Sequence, residues 1–413
     1  MTLSAGSRFS APVILIVGIV AAFGAGKLPP VLLILSESYG LSLFEASFLI
    51  SMFQLAGALI GVFAGSLADR FGHRTILQLG LAMTLMGIAV SLLANSAAVL
   101  LVSRAIESFG FILTVLPCPV LLRQSVGLER QRLWLGVWGS YMPAGFAAGL
   151  LAAPWLVTLS IQANISLESW RWVWLGHGLL VVASWFAFRL LGGAPLPQTT
   201  LARSERHPKR AFAALLKLTL GSSGPWLLGI SFGAYAGQYL SIVSFLPTIY
   251  QQAGISLATA GAMTALVAGI NLFGNLAAGW LTQRGVNAGK LMLAAALALF
   301  LGAWLVYASG LPFGVRYVIV VATSAIAGLI PGAMFTLAPR YAPTPDTVSS
   351  TVGLMQQVSA IGQFVLPPIV AWSAALAGGW SNAAWALSTM ALVNIALAAV
   401  IVRRERAAEQ VGA

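Results

Sequence analysis

Three ionisable side chains, Lys27, Arg104 and Glu107, stand inside stretches otherwise built from apolar residues. Lys27 interrupts AFGAGKLPPVLLIL (22–35), and Arg104 and Glu107 share LLVSRAIESFGFIL (100–113). A charge within a hydrocarbon-length segment is costly, so each is by default a candidate ligand or proton site. Two cations can hold an anion, and a carboxylate beside them tempers their charge. At 1.5 Å per residue, Lys27 lies roughly 12 Å from the outer polar break at Ser36–Glu37, and Arg104 roughly 10 Å in from Ala97, with Glu107 about a turn further. The three are therefore expected at comparable depth. Plainer readings stand beside this one. Lys27 could snorkel along its aliphatic stem, and Arg104 could pair with Glu107 at i,i+3 as a structural element. Glu107 could carry a proton, but a cation one turn away stabilises the ionised carboxylate and opposes that role.

Uncharged polar residues extend the candidate site: Gln54, Tyr141, Tyr235, Gln238, Tyr239, Asn271, Asn275, Gln356, Gln357 and Gln363. Asn271 and Asn275 are i,i+4 partners on one helix face. Each of these residues could equally be interhelical glue. His177 is expected to be a packed, hydrogen-bonded histidine at the periphery. A metal site would need clustered ligands, and the histidines are scattered at 73, 177 and 207. No metal, cofactor or enzymatic centre is expected.

What must position these groups is a membrane bundle. The 413 residues are 59% hydrophobic and 8% charged, against roughly 25% charged in soluble domains. Lipid is the only solvent such a surface can meet. Cys118 is the single cysteine, which excludes an internal disulfide framework and a thiolate zinc cluster. The net charge of +12 falls in short connections between apolar segments, the pattern of topology signals rather than of nucleic-acid binding. The start of the chain runs directly into an apolar segment and reads as a first span rather than a cleavable leader.

Segments of about 20 apolar residues predict twelve spans: 11–35, 43–67, 75–95, 97–122, 134–158, 171–190, 224–249, 258–282, 290–308, 315–338, 349–376 and 383–402. The long polar connection 191–223 divides the chain into two six-helix halves, 1–190 and 224–413. With the N-terminus inside, 18 of the 22 basic residues lie on the cytoplasmic side, so both termini are expected there. The halves repeat. At an offset of 214, Gly40, Ser42, Ala46, Gly65, Leu67 and Arg70 match Gly254, Ser256, Ala260, Gly279, Leu281 and Arg284. At 217, Arg123, Gly136 and Gly145 match Arg340, Gly353 and Gly362. Parallel-related halves are a transporter architecture. No Walker sequence for ATP occurs.

After the second span comes GSLADRFGHR (65–74), with an echo GWLTQRGVNAGK after the eighth. Gly72 permits a positive φ in this turn, and Asp69 can pair with nearby arginines. The segment resembles the motif A signature of the major facilitator superfamily, matched at Gly65, Asp69, Arg70, Gly72 and Arg74. The resemblance implies an all-α membrane protein of two pseudo-symmetric six-helix bundles, with these residues as a conformational latch. It also implies that spans 1 and 4 line a central cavity. Gln283 replaces the aspartate in the echo, so the second latch is expected to be weaker or absent.

Looser strings, GVWGSYMPAGFAAGLLAAPWL, WRWVW and SFLPTIYQQAGIS, are similar to the cyanate permease branch. In that branch a basic residue closely followed by proline occurs in span 1, here Lys27 and Pro29, and members are linked to small anions or nitro-heterocycles. Gly136, Gly139, Gly145 and Gly149 around Pro143 are either packing positions or a hinge. The glycine-proline pattern that marks antiporters in the superfamily is incomplete here and gives no direction of transport.

The resulting expectation is a monomeric secondary transporter of a bacterial inner membrane. It moves a small anionic or polar organic solute by alternating access, with a coupling proton left open. Its substrate residues would be Lys27, Arg104, Glu107, Gln54, Tyr141, Tyr235, Gln238, Asn271, Asn275 and Gln357. The alternative is a broad-specificity efflux pump of the same superfamily. A membrane enzyme lacks its residues, and a sensor lacks room for a signalling domain in the central connection.

Overall fold

The computed structural model describes residues 10–63, 68, 70–164, 167–192, 209–376 and 378–412. Among them the chain is helical and forms no strand. The helices are α1 (Ser10–Gly26), α2 (Leu28–Tyr39), α3 (Leu43–Ser51), α4 (Leu55–Ile60), α5 (His73–Leu92) and α6 (Ala97–Val115). There follow α7 (Cys118–Ser125), α8 (Leu128–Trp138), α9 (Tyr141–Gln162), α10 (Ser169–Leu191), α11 (Lys209–Leu220) and α12 (Ser223–Gln252). The last are α13 (Leu257–Gln283), α14 (Ala288–Tyr307), α15 (Phe313–Ala327), α16 (Leu329–Tyr341), α17 (Val348–Leu376) and α18 (Ala383–Gly412).

Eleven helical segments among the described residues are long and apolar enough to cross a membrane, some of them joined from two helices, such as Ser10–Tyr39 and Phe313–Tyr341. The twelfth expected span is α12, a 30-residue helix whose Gly, Ser, Tyr and Gln content lowers its hydropathy. The first span breaks at Lys27, which belongs to neither α1 nor α2. Leu28 and Pro29 occupy the first positions of α2, where proline is tolerated because those N–H groups have no intrahelical partner. Similar interruptions fall at Leu116–Pro117, Gly139–Ser140 and Gly328.

The repeat is visible in local geometry. Gly40 and Gly254 both take a left-handed backbone, at φ +62° and +83°. Each is followed by the same closing bond, Leu41 N–H to Ser36 O at 2.8 Å and Ile255 N–H to Tyr250 O at 3.0 Å. Ser42 and Ser256 then accept from Glu45 N–H and Thr259 N–H, three residues on. Glycine and serine stand at these matched positions because one must adopt αL and the other must cap the next helix.

The chain divides into two compact units. The first holds Met1–Leu41, Leu55–Pro208 and Tyr250–Ala265, and the second holds Ser42–Gln54, Lys209–Ile249 and Leu266–Ala413. The first has its core in Leu28, Leu32, Leu100, Leu150, Trp170 and Trp174. The second has its core in Leu228, Ala295, Ile330, Met334 and Leu387. Large apolar side chains on the exterior, such as Leu59, Trp155, Phe186, Phe273, Val318 and Trp385, suit a lipid-facing surface.

Candidate functional site

In the first unit α1, α2, α5, α6 and α10 converge on one buried cluster. Lys27 Nζ lies 2.8 Å from Glu107 Oε2, and Arg104 donates to the same oxygen at 2.9 Å. Glu107 Oε1 accepts from Trp174 Nε1 at 2.9 Å, and Ser91 Oγ, whose single proton goes to Ser103 Oγ, lies 3.4 Å from it. Lys27 also meets His177 Nδ1 at 3.0 Å and sits 4.4 Å from the centroid of the Trp174 ring. Arg104 makes a further bond to the Gly24 carbonyl at 3.1 Å. Lys27, Glu107, Trp174 and His177 are 0% exposed, and Arg104 is 1%.

Donor and acceptor chemistry fixes the histidine. An ammonium only donates, so Nδ1 accepts from Lys27. The Val20 carbonyl, 3.0 Å from Nε2, only accepts, so Nε2 carries the proton. His177 is thus the neutral tautomer, held flat against Phe23 with ring centroids 5.2 Å apart. With Lys27 as the ammonium, the cluster holds two cations and one carboxylate, a formal excess of one positive charge out of contact with solvent.

Backbone packing sets this geometry. A Cβ on Gly149 of α9 would come within 2.5 Å of Gly26 C and Lys27 N, and one on Gly145 within 2.2 Å of Ile19 O. Glycine at both positions lets α9 lie against the back of the Lys27 break, leaving the side chain to face α6 and α10. Gly136 and Gly139 lie in no such contact with another helix.

The predicted residues Lys27, Arg104 and Glu107 are therefore brought together, and each is paired. Lys27 is enclosed rather than extended toward an interface, and the Arg104–Glu107 pair forms as the i,i+3 reading describes. His177 is packed and hydrogen-bonded as expected, and one of its partners is Lys27. Trp174, Ser91 and Ser103 were not anticipated. Their signals were Trp170, Trp174 and His177 at i, i+4, i+7 in WRWVWLGHG, and Ser103 one residue before Arg104. Ser91 Oγ donates to Ser103 Oγ at 2.7 Å.

Tyr141, also in the first unit, opens α9 and stacks on Trp138, centroids 4.2 Å apart. In the second unit Gln54 is buried in the short turn Met52–Gln54. Tyr235 OH donates to Asn271 Oδ1 at 3.2 Å, and Asn271 Nδ2 donates to Ser324 O at 2.9 Å. Asn275 stands beside Gly332, at which an added Cβ would meet its backbone carbonyl at 2.5 Å. Gln357 is half-buried on α17. Gln238 is 0% exposed, and neither of its polar side-chain atoms has a hydrogen-bond partner. At the 217-residue offset Asn394 takes the place of His177, and it too reaches the first helix of its half, bonded to Ser231 Oγ at 2.6 Å.

Of the motif A positions, Gly65 and Asp69 lie outside the described residues. Gly72 adopts φ +91°, the left-handed turn its type allows. Arg70 is exposed beside the Phe71 ring. Arg74 donates to the Gly192 carbonyl at 2.5 Å and packs over Phe188, a cation at the C-terminus of α10 where the helix dipole favours one. Among the described residues no group of His, Cys, Asp and Glu could hold a metal ion.

This architecture of apolar helices in two repeats is that of a multi-pass membrane protein. Residues 14–367 match the model of the Major Facilitator Superfamily, and the chain belongs to that family, whose members are transporters rather than enzymes. The chain is 25% identical over 177 residues to quinolone resistance protein NorB of Staphylococcus aureus (strain bovine RF122 / ET3-1), covering 41% of this chain and 35% of that protein. It is 26% identical over 249 residues to MFS transporter L2 of Phoma sp., covering 58% of this chain and 38% of that protein. The chain thus spans well under half the length of these curated relatives.

Among solved structures it is similar to a bacterial homologue of the human lysosomal transporter Spinster in an inward-facing, occupied conformation. The TM-score is 0.78 at 15% identity over 98% of both chains. It is also similar to the D-xylose-proton symporter, with a TM-score of 0.71 at 16% identity over 95% of this chain and 97% of that one. At such identity these likenesses establish the fold alone.

Proposed function

We propose that the protein is a secondary transporter moving a small anionic or polar organic solute by alternating access. It would act across a bacterial cytoplasmic membrane with both termini inside, as a monomer of two halves, 1–190 and 224–413, joined by 191–223. The supporting observation is the surplus cation beside Glu107. A buried charge without a counterion costs several kcal/mol by order of magnitude, and an anion reaching Lys27 would neutralise the cluster. Gln54, Tyr141, Tyr235, Gln238, Asn271, Asn275 and Gln357 are proposed as additional solute contacts. Gly65, Asp69, Arg70, Gly72 and Arg74 are proposed as the latch. A coupling proton and the narrower likeness to cyanate permeases belong to the same proposal.

A second reading is broad-specificity efflux, favoured by the likeness to a quinolone resistance protein. Uptake into proteoliposomes decides between them, with formate, acetate, lactate, cyanate and bicarbonate tested beside norfloxacin and cationic dyes, with and without an imposed pH gradient. Anion uptake that is lost in Lys27→Ala is the expected result. Movement of dyes alone would replace the anion reading with efflux.

A further inference from the structure

The donors around Glu107 form a receptor for a carboxylate. One oxygen takes an ammonium and a guanidinium, the other an indole N–H. The two cations are not equally fixed. Arg104 lies one turn from Glu107 on α6 and is tied to the Gly24 carbonyl. Lys27 keeps a helical backbone and its N–H bonds Phe23 O at 2.9 Å, but Pro29 and Pro30 just beyond it have no N–H to continue the helix bonding. If Lys27 leaves, Glu107 keeps Arg104 and Trp174, so no buried carboxylate is stranded. The ammonium keeps His177 Nδ1 and the Trp174 face. Among the described residues, Glu107 is the charged side chain paired with Nζ. The α9 helix meets the Lys27 backbone through Gly149, and α5 places the uncharged Ser91 near Glu107.

We infer that Glu107 is an internal stand-in for the solute. It occupies Lys27 when the transporter is empty, and a small carboxylate displaces it there while Arg104 keeps Glu107 neutralised. The exchange takes the cluster from one surplus positive charge to none. This rests on the anion reading above and narrows it to carboxylates, planar anions gripped as Glu107 is gripped now.

The test is uptake of [14C]-labelled formate, acetate, lactate and benzoate by proteoliposomes of wild type, Glu107→Gln, Lys27→Met and the double variant. Removing the competitor is expected to lower KM for the transported carboxylate about tenfold, within the usual range of coupling between sites. Lys27→Met abolishes uptake, and the double variant shows no gain, placing the effect at Lys27. If Glu107→Gln is not recovered folded, Glu107→Asp serves. It draws the charge back from Lys27 by one methylene, and a smaller fall in KM is expected. An unchanged or raised KM in these variants overturns the stand-in role. Uptake of cyanate or bicarbonate but of none of the carboxylates overturns the inference and leaves the anion reading standing. A wild type that moves no anion overturns both.

Discussion

Lys27 and Glu107 are 80 residues apart in the chain and 2.8 Å apart in the fold, and Lys27 shares Glu107 with a second cation, Arg104. The second Glu107 oxygen accepts from Trp174, and the charge of the carboxylate is met by Arg104. The carboxylate is shared structure, whereas the lysine is the surplus member.

That asymmetry predicts unequal losses of stability. Glu107→Leu strands two cations and is expected to cost about 3–5 kcal/mol, as breaking a buried pair usually does. Lys27→Met leaves Glu107 paired and is expected to stay within about 1 kcal/mol of wild type, since apolar replacement of a buried charge is often neutral. Thermal unfolding in detergent reads both, and equal losses would contradict the asymmetry.

Gly149 is predicted to be intolerant of any side chain. Its Cβ would meet Lys27 N at 2.5 Å, a backbone atom that cannot rotate away. Gly149→Ala is expected to cost about 1–3 kcal/mol, the usual penalty of overpacking. Gly136 faces open space inside α8, and Gly136→Ala is expected to raise stability by up to about 1 kcal/mol through helix propensity. The unfolding temperatures of the two variants should move in opposite directions.

Gln238 has two buried polar atoms and no partner for either. Gln238→Leu removes their desolvation cost and is expected to stabilise the protein by about 1 kcal/mol. A simultaneous loss of uptake would mark the carboxamide as a solute contact, whereas intact uptake would confine Gln238 to the core. A drop in unfolding temperature would show that the carboxamide is paired after all.

The Tyr235–Asn271–Ser324 chain should behave as one unit. Asn271→Ala is expected to cost about 1–2 kcal/mol and Tyr235→Phe about 0.5 kcal/mol, in keeping with interhelical hydrogen bonds in membranes. Coupling in a double-mutant cycle should be close to the Tyr235→Phe value. Strict additivity would mean that the 3.2 Å contact carries no energy.

Sequence alone determined the class of this protein. Apolar stretches of spanning length, loop cations and the Gly40–Ser42 and Gly254–Ser256 repeat are local patterns, and local patterns survive without knowledge of which helices touch. The depth argument placed Lys27, Arg104 and Glu107 at one level, because rise per residue is a property of a single helix.

Only the tertiary structure decided who pairs with whom. Depth does not give azimuth. His177, expected to be packed and hydrogen-bonded, meets Lys27 and the Val20 carbonyl because Trp170, Trp174 and His177 share the face of α10 packed against α1, and no periodicity within α10 reveals those neighbours. The surplus charge beside Glu107 likewise exists only once α1, α6 and α10 are closed around it by the glycine contacts of α9. A sequence can say that a cation is buried, but the balance of charge around it belongs to the packing.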